Sequence, residues 1–234
     1  RIGVTVCISP SITISICRDK YRTYEFLRDK VNTVSLIPTT ALESSHGIDD
    51  LEVSFPLICK PRNGRSSNGI HRFFTMQELN AFLSKPLCDE YIIQPIIQGK
   101  ILTVDVVRQS DGNRAFAIPR LELLRTQNGA GTSVHILHND LVQKESLMIA
   151  NYLGIVGTVN IEFIQDSNNK FYFLECNPRF SGGVKFSCMA GYDFVWNHIR
   201  CFQNKTIDPS TQYNDCFIAR RYQEVITATE QSLK

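Results

Sequence analysis

The hydrophobic pattern of the chain changes period several times, and each change marks an expected element. The opening "IGVTVCIS" is short, apolar and β-branched, which predicts a strand. In "RDKYRTYEFLRDKV" the apolar or aromatic positions Tyr21, Tyr24, Phe26, Leu27 and Val31 fall close to helical spacing with charges between them, so a helix should run here and end before "NTVSLIPTT". "SFPLICKP" and "HRFF" read as strands flanking the loop "RNGRSSNG", because the apolar runs are short and Gly64 and Gly69 punctuate them. Thr75 followed by Glu78 is a capping-box signature opening the helix "MQELNAFLS".

The strand "EYIIQPII" leads through Gly99 into "ILTVDVVRQ", and "SDGN" turns the chain back into "RAFAIPRLELL", so an antiparallel meander opens the second half. "RTQNGAGTSVHI", polar and rich in glycine, predicts a mobile loop. A helix from about Leu141 to Leu153 follows. Then come the strands "TVNIEFIQ" and "KFYFLECN" around "DSNN", helices within residues 183–204, and a last strand near "CFIARRY".

Composition narrows the function. The formal net charge of +2 is scattered along the 234 residues, which gives no basic field for nucleic acid and leaves anion binding to local groups and small partners. The longest apolar candidate, "YIIQPII", is broken by Gln94 and Pro95 and falls far short of the roughly 20 residues that span a bilayer, so a soluble chain with no membrane partner is expected. Eight cysteines form no CxxC pair and sit mostly in apolar strings, the pattern of reduced core thiols in a cytoplasmic protein. Because the chain opens at Arg1 on a strand-like run, a fragment lacking its true amino terminus is expected.

The candidate chemistry lies in "FYFLECNPRFSGG". If "DSNN" closes the hairpin with Gln165 opposite Lys170, then Phe173 faces Glu162 and Glu175 faces Asn160. Glu162, Glu175 and Asn177 then share one face, with the two carboxylates as diagonal neighbours roughly 7 Å apart at the backbone. Ile161, Phe163, Tyr172, Leu174 and Cys176 should form the opposite, core-facing side. Converging carboxylates repel unless a proton or cation lies between them, and an oxygen-only set suggests magnesium with a nucleoside triphosphate completing its shell. Arg179 would sit at the rim with its fork free for a phosphoryl or carboxylate oxygen. The same spacing also fits a solvated surface hairpin. Lys60 ends a strand before a loop of glycines and serines whose N–H groups suit phosphate oxygens, although neither GxxxxGK[ST] nor GxGxxG is present. A plain hairpin with a snorkelling lysine fits that segment as well.

In order, "CRDKYRTYEFL", "FPLICKPRNGRSSNGI", "YIIQPIIQGKILTVDVV", "IPRLELLRTQNGAGTS" and "GTVNIEFIQ...FYFLECNPRFSGG" resemble the ATP-grasp superfamily, in the branch similar to the carbamoyl-phosphate synthase large subunit. The resemblance implies an α+β fold, two lobes with mostly antiparallel sheets clasping ATP, with an amino-terminal Rossmann-like domain missing or truncated. Residues 1–19 would be the last strand of that domain and a linker, 20–97 the smaller lobe and 98–234 the larger. It implies an ADP-forming ligase that makes an acyl phosphate for attack by an amine or other nucleophile and forms a carbon–nitrogen bond. The alternatives are a non-catalytic ATP-binding module or an inactive fragment of a larger ligase. By the resemblance, Lys20 and Lys60 contact phosphates, and Arg62, Gly64, Ser66, Ser67 and Gly69 belong to the lid. Gln94, Pro95, Ile96 and Ile97 form the adenine hinge. Glu162, Glu175 and Asn177 hold Mg2+ or Mn2+, while Arg179 and Arg120 act at the transferred phosphoryl group. Partners are ATP, a small carboxylate and an amine, with a homodimer compatible. Ile101 stands where family members often place a ribose-binding glutamate, and Pro95 where many carry an acidic residue.

Outside the resemblance, His135 and His138 lack further metal ligands, and Cys176 should point into the core. Trp196 lies in "YDFVWNHI", whose spacing fits a packed helix. Lys185 and Arg220 are candidate helpers for an anionic substrate or ordinary surface charges.

Overall fold

The computed structural model describes residues 3, 5–42, 54–64, 68–84, 90–127, 129–209 and 212–223. The expected strand at "IGVTVCIS" is not formed: its described residues carry no strand, and Ser9 instead ties the segment down through Oγ, which donates to Val156 O at 2.9 Å and accepts from Val156 N at 3.0 Å. The helix expected in "RDKYRTYEFLRDKV" forms, and a second, unanticipated helix precedes it. Helix α1 (Ser11–Arg18) buries Thr13 and Cys17, so packing overrides the weak helix propensity of its β-branched residues. Helix α2 (Lys20–Leu27) starts afresh because Asp19 turns extended and accepts from Tyr21 N and Arg22 N.

Next come β1 (Ser35–Leu36), β2 (Thr40–Ala41), β3 (Leu57–Pro61), β4 (His71–Phe73), α3 (Met76–Leu83) and β5 (Tyr91–Pro95). Strands β2-β5-β3-β4 form a four-stranded antiparallel sheet, and Leu79 and Phe82 of α3 seal its core against Leu57, Phe73 and Ile93. Thr75 caps α3 as expected, its Oγ1 accepting from Glu78 N, while the Glu78 carboxylate reaches back one residue further than a capping box requires and accepts from Phe74 N.

The rest of the chain is β6 (Lys100–Arg108), β7 (Ala115–Arg125), β8 (Gly131–Ile136), α4 (Asp140–Tyr152), β9 (Gly157–Gln165), β10 (Phe171–Asn177), α5 (Val184–Met189), α6 (Phe194–Phe202) and β11 (Cys216–Ala219). A seven-stranded sheet runs β1-β10-β9-β6-β7-β8-β11, antiparallel except for β1 beside β10. Alternation along β6 and β9 sends Leu102, Val104, Ile161 and Phe163 into a core with Val142 and Ile149 of α4. On the other face, Val107, Phe116 and Ile118 pack under Phe186, Phe194 and Cys201 of α5 and α6, while Thr103 and Asp105 point the same way. The two sheets face each other across a cleft.

Several expectations are corrected. "RTQNGAGTSVHI" is a turn followed by β8, which pairs with both β7 and β11, because its β-branched half continues the meander. The β9–β10 turn is one residue longer than expected: Asn169 adopts a left-handed φ of 61°, Asp166 Oδ1 accepts from Asn168 N and Lys170 N, and Phe171 faces Gln165. An irregularity between Phe173 and Glu175 then shifts the register again. Consequently Phe171 and Phe173, not Tyr172 and Leu174, join Phe163 in the core. Trp196 is 46% exposed, since α6 packs through Phe194, Asn197 and Cys201.

Cys17, Cys176 and Cys201 are buried free thiols, Cys59 is buried in the core of the small sheet, and Cys88 lies outside the described residues. His135 pairs with Asp215 at 2.8 Å and stacks on Phe217, and His138 stacks on Tyr213. Among the described residues no helix is long and apolar enough to cross a membrane.

Candidate functional site

Pairing across the large sheet lines up the site. Glu175 lies opposite Glu162, Glu162 opposite Thr103, and Thr103 opposite Arg120. In the neighbouring row Asn177 faces Asn160, which faces Asp105. Directly opposed residues share a face, so Glu162, Glu175 and Asn177 meet on one side as expected. Their floor is a cleft of about 500 Å³, whose opposite wall brings Lys60, Gln94 and Ile96 from the small sheet and the segment after it. A smaller cavity of about 270 Å³ opens beside it, lined by Arg18, Tyr24 and Thr39 and sharing Lys20, Glu175 and Arg179 with the cleft.

The electrostatics follow from burial. Desolvation, reinforced by Glu175 and opposed by Arg125, pushes the Glu162 carboxyl up to about 7. Arg125 Nη2 donates to Glu162 Oε2 at 3.1 Å, so a guanidinium stands beside the carboxylate. Asn177 Nδ2 donates to Glu175 Oε1 at 2.7 Å, and Arg179 Nη2 to Asn177 Oδ1 at 3.4 Å. Burial lowers the Lys60 ammonium to about 8 against the pull of Glu175, and lowers Lys20 as well. Lys20 Nζ donates to the carbonyls of Pro61, Arg62 and Gly64, holding down the base of the glycine-rich loop.

The donor set fits a hard divalent ion: two carboxylates directly opposed, one raised to about 7 by burial and its neighbour, with an amide oxygen donor in the same patch. Among the described residues no group of three or more His, Cys, Asp and Glu could hold a metal by itself.

Not every residue singled out from the sequence reaches the cleft in the expected way. Arg62 turns to Asp19, with Nη2–Oδ2 at 2.5 Å, and does not line the cleft. Arg120 borders the cleft but is 1% exposed. Its guanidinium donates to Asp105 Oδ2 at 2.5 Å, Glu122 Oε1 at 3.0 Å, Ser181 Oγ at 3.0 Å and Ser187 Oγ at 3.3 Å. Burial opposes its charge, yet the two carboxylates outweigh that and raise its pKa. Its guanidinium is thus engaged by protein partners on every side that these bonds describe. At the hinge, Gln94 Nε2 donates to Thr39 Oγ1, Pro95 has no N–H, and Ile96 N donates to Pro56 O. Ile97 and Ile101 line the cleft beside Ile164 and Leu174, an apolar wall suited to a base. Gly64 lines the cleft too, whereas Gly69, at φ 71°, lies under Pro61, where a Cβ would approach Pro61 Cγ to 2.9 Å. Ser66 and Ser67 lie outside the described residues. Arg220, not a cleft group, donates to Gly182 O and covers the Phe186 ring.

Three charged residues lining the cleft, Arg72, Glu122 and Arg125, escaped the sequence reading. Arg125 is an odd number of residues from Arg120, so strict alternation places it on the opposite face; irregularities at Leu124 bring it round. Glu122 shares the Arg120 face by simple alternation, a signal that was there to be used.

Comparison with known proteins agrees with this architecture. The family model described as "ATP-grasp in the biosynthetic pathway with Ter operon" matches residues 88–225. A curated relative, the D-alanine--D-alanine ligase of Francisella tularensis subsp. novicida (strain U112), is 27% identical over 135 residues, covering 54% of this chain and 46% of that protein. The chain thus spans about half the length of the curated relatives it matches. Among solved structures, biotin carboxylase from Campylobacter jejuni superposes with a TM-score of 0.75 at 20% identity, over 86% of this chain and 49% of that one. N5-carboxyaminoimidazole ribonucleotide synthetase from Thermotoga maritima gives 0.69 at 19% identity, over 88% and 54%. The shared fold is an α+β, two-lobe architecture of mostly antiparallel sheets.

Proposed function

Because the chain belongs to the ATP-grasp family described as acting in the biosynthetic pathway with the Ter operon, we propose that it is the nucleotide-binding part of an ADP-forming ligase that activates a carboxylate. The observation that carries this is Glu175 set directly opposite Glu162 on the floor of a cleft whose other wall presents Lys60. Glu162, Glu175 and Asn177 would hold magnesium, which when bound neutralises the triphosphate. Lys60 and Lys20 offer cations to the phosphate oxygens, and the apolar wall of Ile97, Ile101 and Ile164 receives the base. Arg179, exposed at the rim, steadies the phosphoryl group as a substrate carboxylate oxygen attacks the γ-phosphorus in line and ADP leaves. An amine then attacks the acyl carbon, phosphate departs and a carbon–nitrogen bond forms. The narrower kinship with the carbamoyl-phosphate synthase large subunit rests on the "LECNPRFSGG" motif, and residues 20–97 and 98–234 are taken as the two lobes. A cytoplasmic location is in keeping with the buried free thiols, and the homodimer is open to sedimentation analysis.

The test is phosphate release from Mg·ATP screened over amino acids and small carboxylates. Turnover should appear with a specific acid and fall about 10²-fold or more in Glu175→Gln, which loses one preorganised charge-stabilising group. Normal turnover in that variant would show the site to be misassigned. A second reading, a nucleotide-binding module without turnover, is favoured by Ile101, which puts an apolar side chain in the cleft where the family resemblance implies a ribose-binding glutamate. Mg·ATP binding without ADP release across the whole screen would select it.

A further inference from the structure

The buried network around Arg120 is not neutral. Asp105 and Glu122 are two carboxylates for one guanidinium, with side chains 0% and 3% exposed. Glu122 Oε1 accepts from Arg120 Nε, while Oε2 is buried with no hydrogen-bond partner among the described residues. An unpaired carboxylate oxygen inside a protein costs more than a hydrogen bond returns, so such an oxygen is a candidate ligand contact.

Oε2 lies against Gly131, where any Cβ would collide with it, and both Glu122 and Gly131 line the cleft. The missing side chain leaves only backbone between the carboxylate and the cleft. That backbone is tied to the metal-binding residues: Arg125 Nε donates to Gly129 O at 2.6 Å, and Arg125 Nη2 to Glu162 Oε2.

Resting on the ligase reading above, we propose that Glu122 Oε2 receives the primary ammonium group of the substrate, an amine or amino acid, in the part of the cleft between Gly131 and the Ser181–Gly183 segment. Charge and geometry both favour this occupant over a second metal. An ammonium supplies the one positive charge the network lacks and is satisfied by one carboxylate oxygen plus carbonyls, whereas magnesium wants several oxygen ligands arranged octahedrally. Glu122 is thus a specificity residue that selects a charged nitrogen and rejects an uncharged isostere, whose binding would leave Oε2 unpaired.

The experiment titrates the full chain, loaded with Mg·ADP, by calorimetry with L-alanine against propionate, ethanolamine against ethylene glycol, and cadaverine against pentanol. At least one nitrogen-bearing member should bind about 10- to 100-fold more tightly than its partner, the range of a charge-assisted hydrogen bond. Glu122→Gln keeps an acceptor for Arg120 but places an amide N–H or a neutral oxygen at the free position, and should level the pair. Gly131→Ala, which drives a methyl group onto Oε2 without changing any charge, should do the same and serves if the first variant folds poorly. No discrimination in the wild type, including no binding of any probe, overturns the inference, as does discrimination that survives both variants. Loss of Mn2+ affinity in Glu122→Gln with amine preference intact would make Oε2 a metal ligand and overturn it too. Mg·ADP binding separates the two levels of argument: if the wild type does not bind it, the ligase reading itself has failed.

Discussion

Glu175 stands directly across from Glu162 because the chain supplies two residues, Leu174 and Glu175, where the partner strand supplies one. Leu174 takes up a place on the cleft wall, and Glu175 is carried into register with a carboxylate that would otherwise lie on the opposite face of the sheet.

The first consequence is a pH dependence of stability. Glu162 is raised from its ordinary 4.5 to about 7, chiefly by burial and then by Glu175. Between those values the folded chain holds a proton that the unfolded chain has lost, so the stabilising contribution is complete below about 4.5 and disappears as pH rises to about 7. The slope approaches about 1.4 kcal/mol per pH unit within the window. Melting curves in chelator between pH 5 and 8 should show this fall, Glu162→Gln should remove it, and saturating Mg·ADP should flatten it. An unchanged slope in Glu162→Gln would assign the effect elsewhere.

A second prediction concerns Arg125, whose guanidinium competes with any cation for Glu162. Removing a partly buried pair of this kind forfeits about 1 kcal/mol, so Arg125→Ala should bind Mn2+ roughly five times more tightly in the absence of nucleotide. Electron paramagnetic resonance of free Mn2+ measures this directly, and weaker binding in the variant would mean that Arg125 supports the ion site instead of guarding it.

The β6–β7 and β9–β10 hairpins and the shared face of Glu162, Glu175 and Asn177 were legible in the sequence, the last for a reason that alternation alone does not supply. The turn at Asn169 moves the register by one residue, which by itself would have flipped every later side chain. The irregularity at Leu174 moves it by one more and restores the parity. Two unforeseen steps of one residue cancel at the carboxylates and do not cancel before them, which is why Tyr172 and Leu174 were misplaced while Glu175 was not. Arg125 was hidden by the same kind of irregularity in β7. Helix α1 was hidden by β-branched residues that only tertiary packing makes helical. Local sequence carries period and polarity; bulges depend on what the neighbouring strand demands.

A third prediction follows from Lys60. With burial lowering its ammonium to about 8, nucleotide phosphate meets a charged lysine at neutral pH, but above pH 8 binding must first restore the proton. The Kd for Mg·ADP should therefore rise with pH beyond about 8, by up to tenfold per unit. Lys60→Met should bind about 10- to 100-fold more weakly at pH 7 and lose that slope. The ligand-free protein should behave oppositely: between about 8 and 10.5 the unfolded chain carries the extra proton, so stability gains as pH rises. Fluorescent-nucleotide titrations at pH 7, 8 and 9 check the first statement, and urea melts in the same buffers the second.

The two arginines of the site should separate cleanly into one that holds the structure and one that serves the reaction. Arg120 is enclosed by Asp105, Glu122, Ser181 and Ser187, so Arg120→Met strands two buried carboxylates and should cost about 3–5 kcal/mol in urea denaturation. Arg179 is exposed, and its guanidinium donates to the Phe180 carbonyl and the Asn177 amide oxygen. Its loss should change stability by no more than about 0.5 kcal/mol, as for other surface substitutions. Turnover of Arg179→Ala should nonetheless fall about 10²-fold, because the guanidinium fork at the rim has no substitute for charge that develops on the transferred phosphoryl group. Should Arg179→Ala instead unfold early, or turn over normally with the native acid, its place beside Glu175 and Asn177 would be architectural, and the phosphoryl group would have to be steadied from the other wall of the cleft, to which Lys20, Lys60 and Arg72 contribute cations.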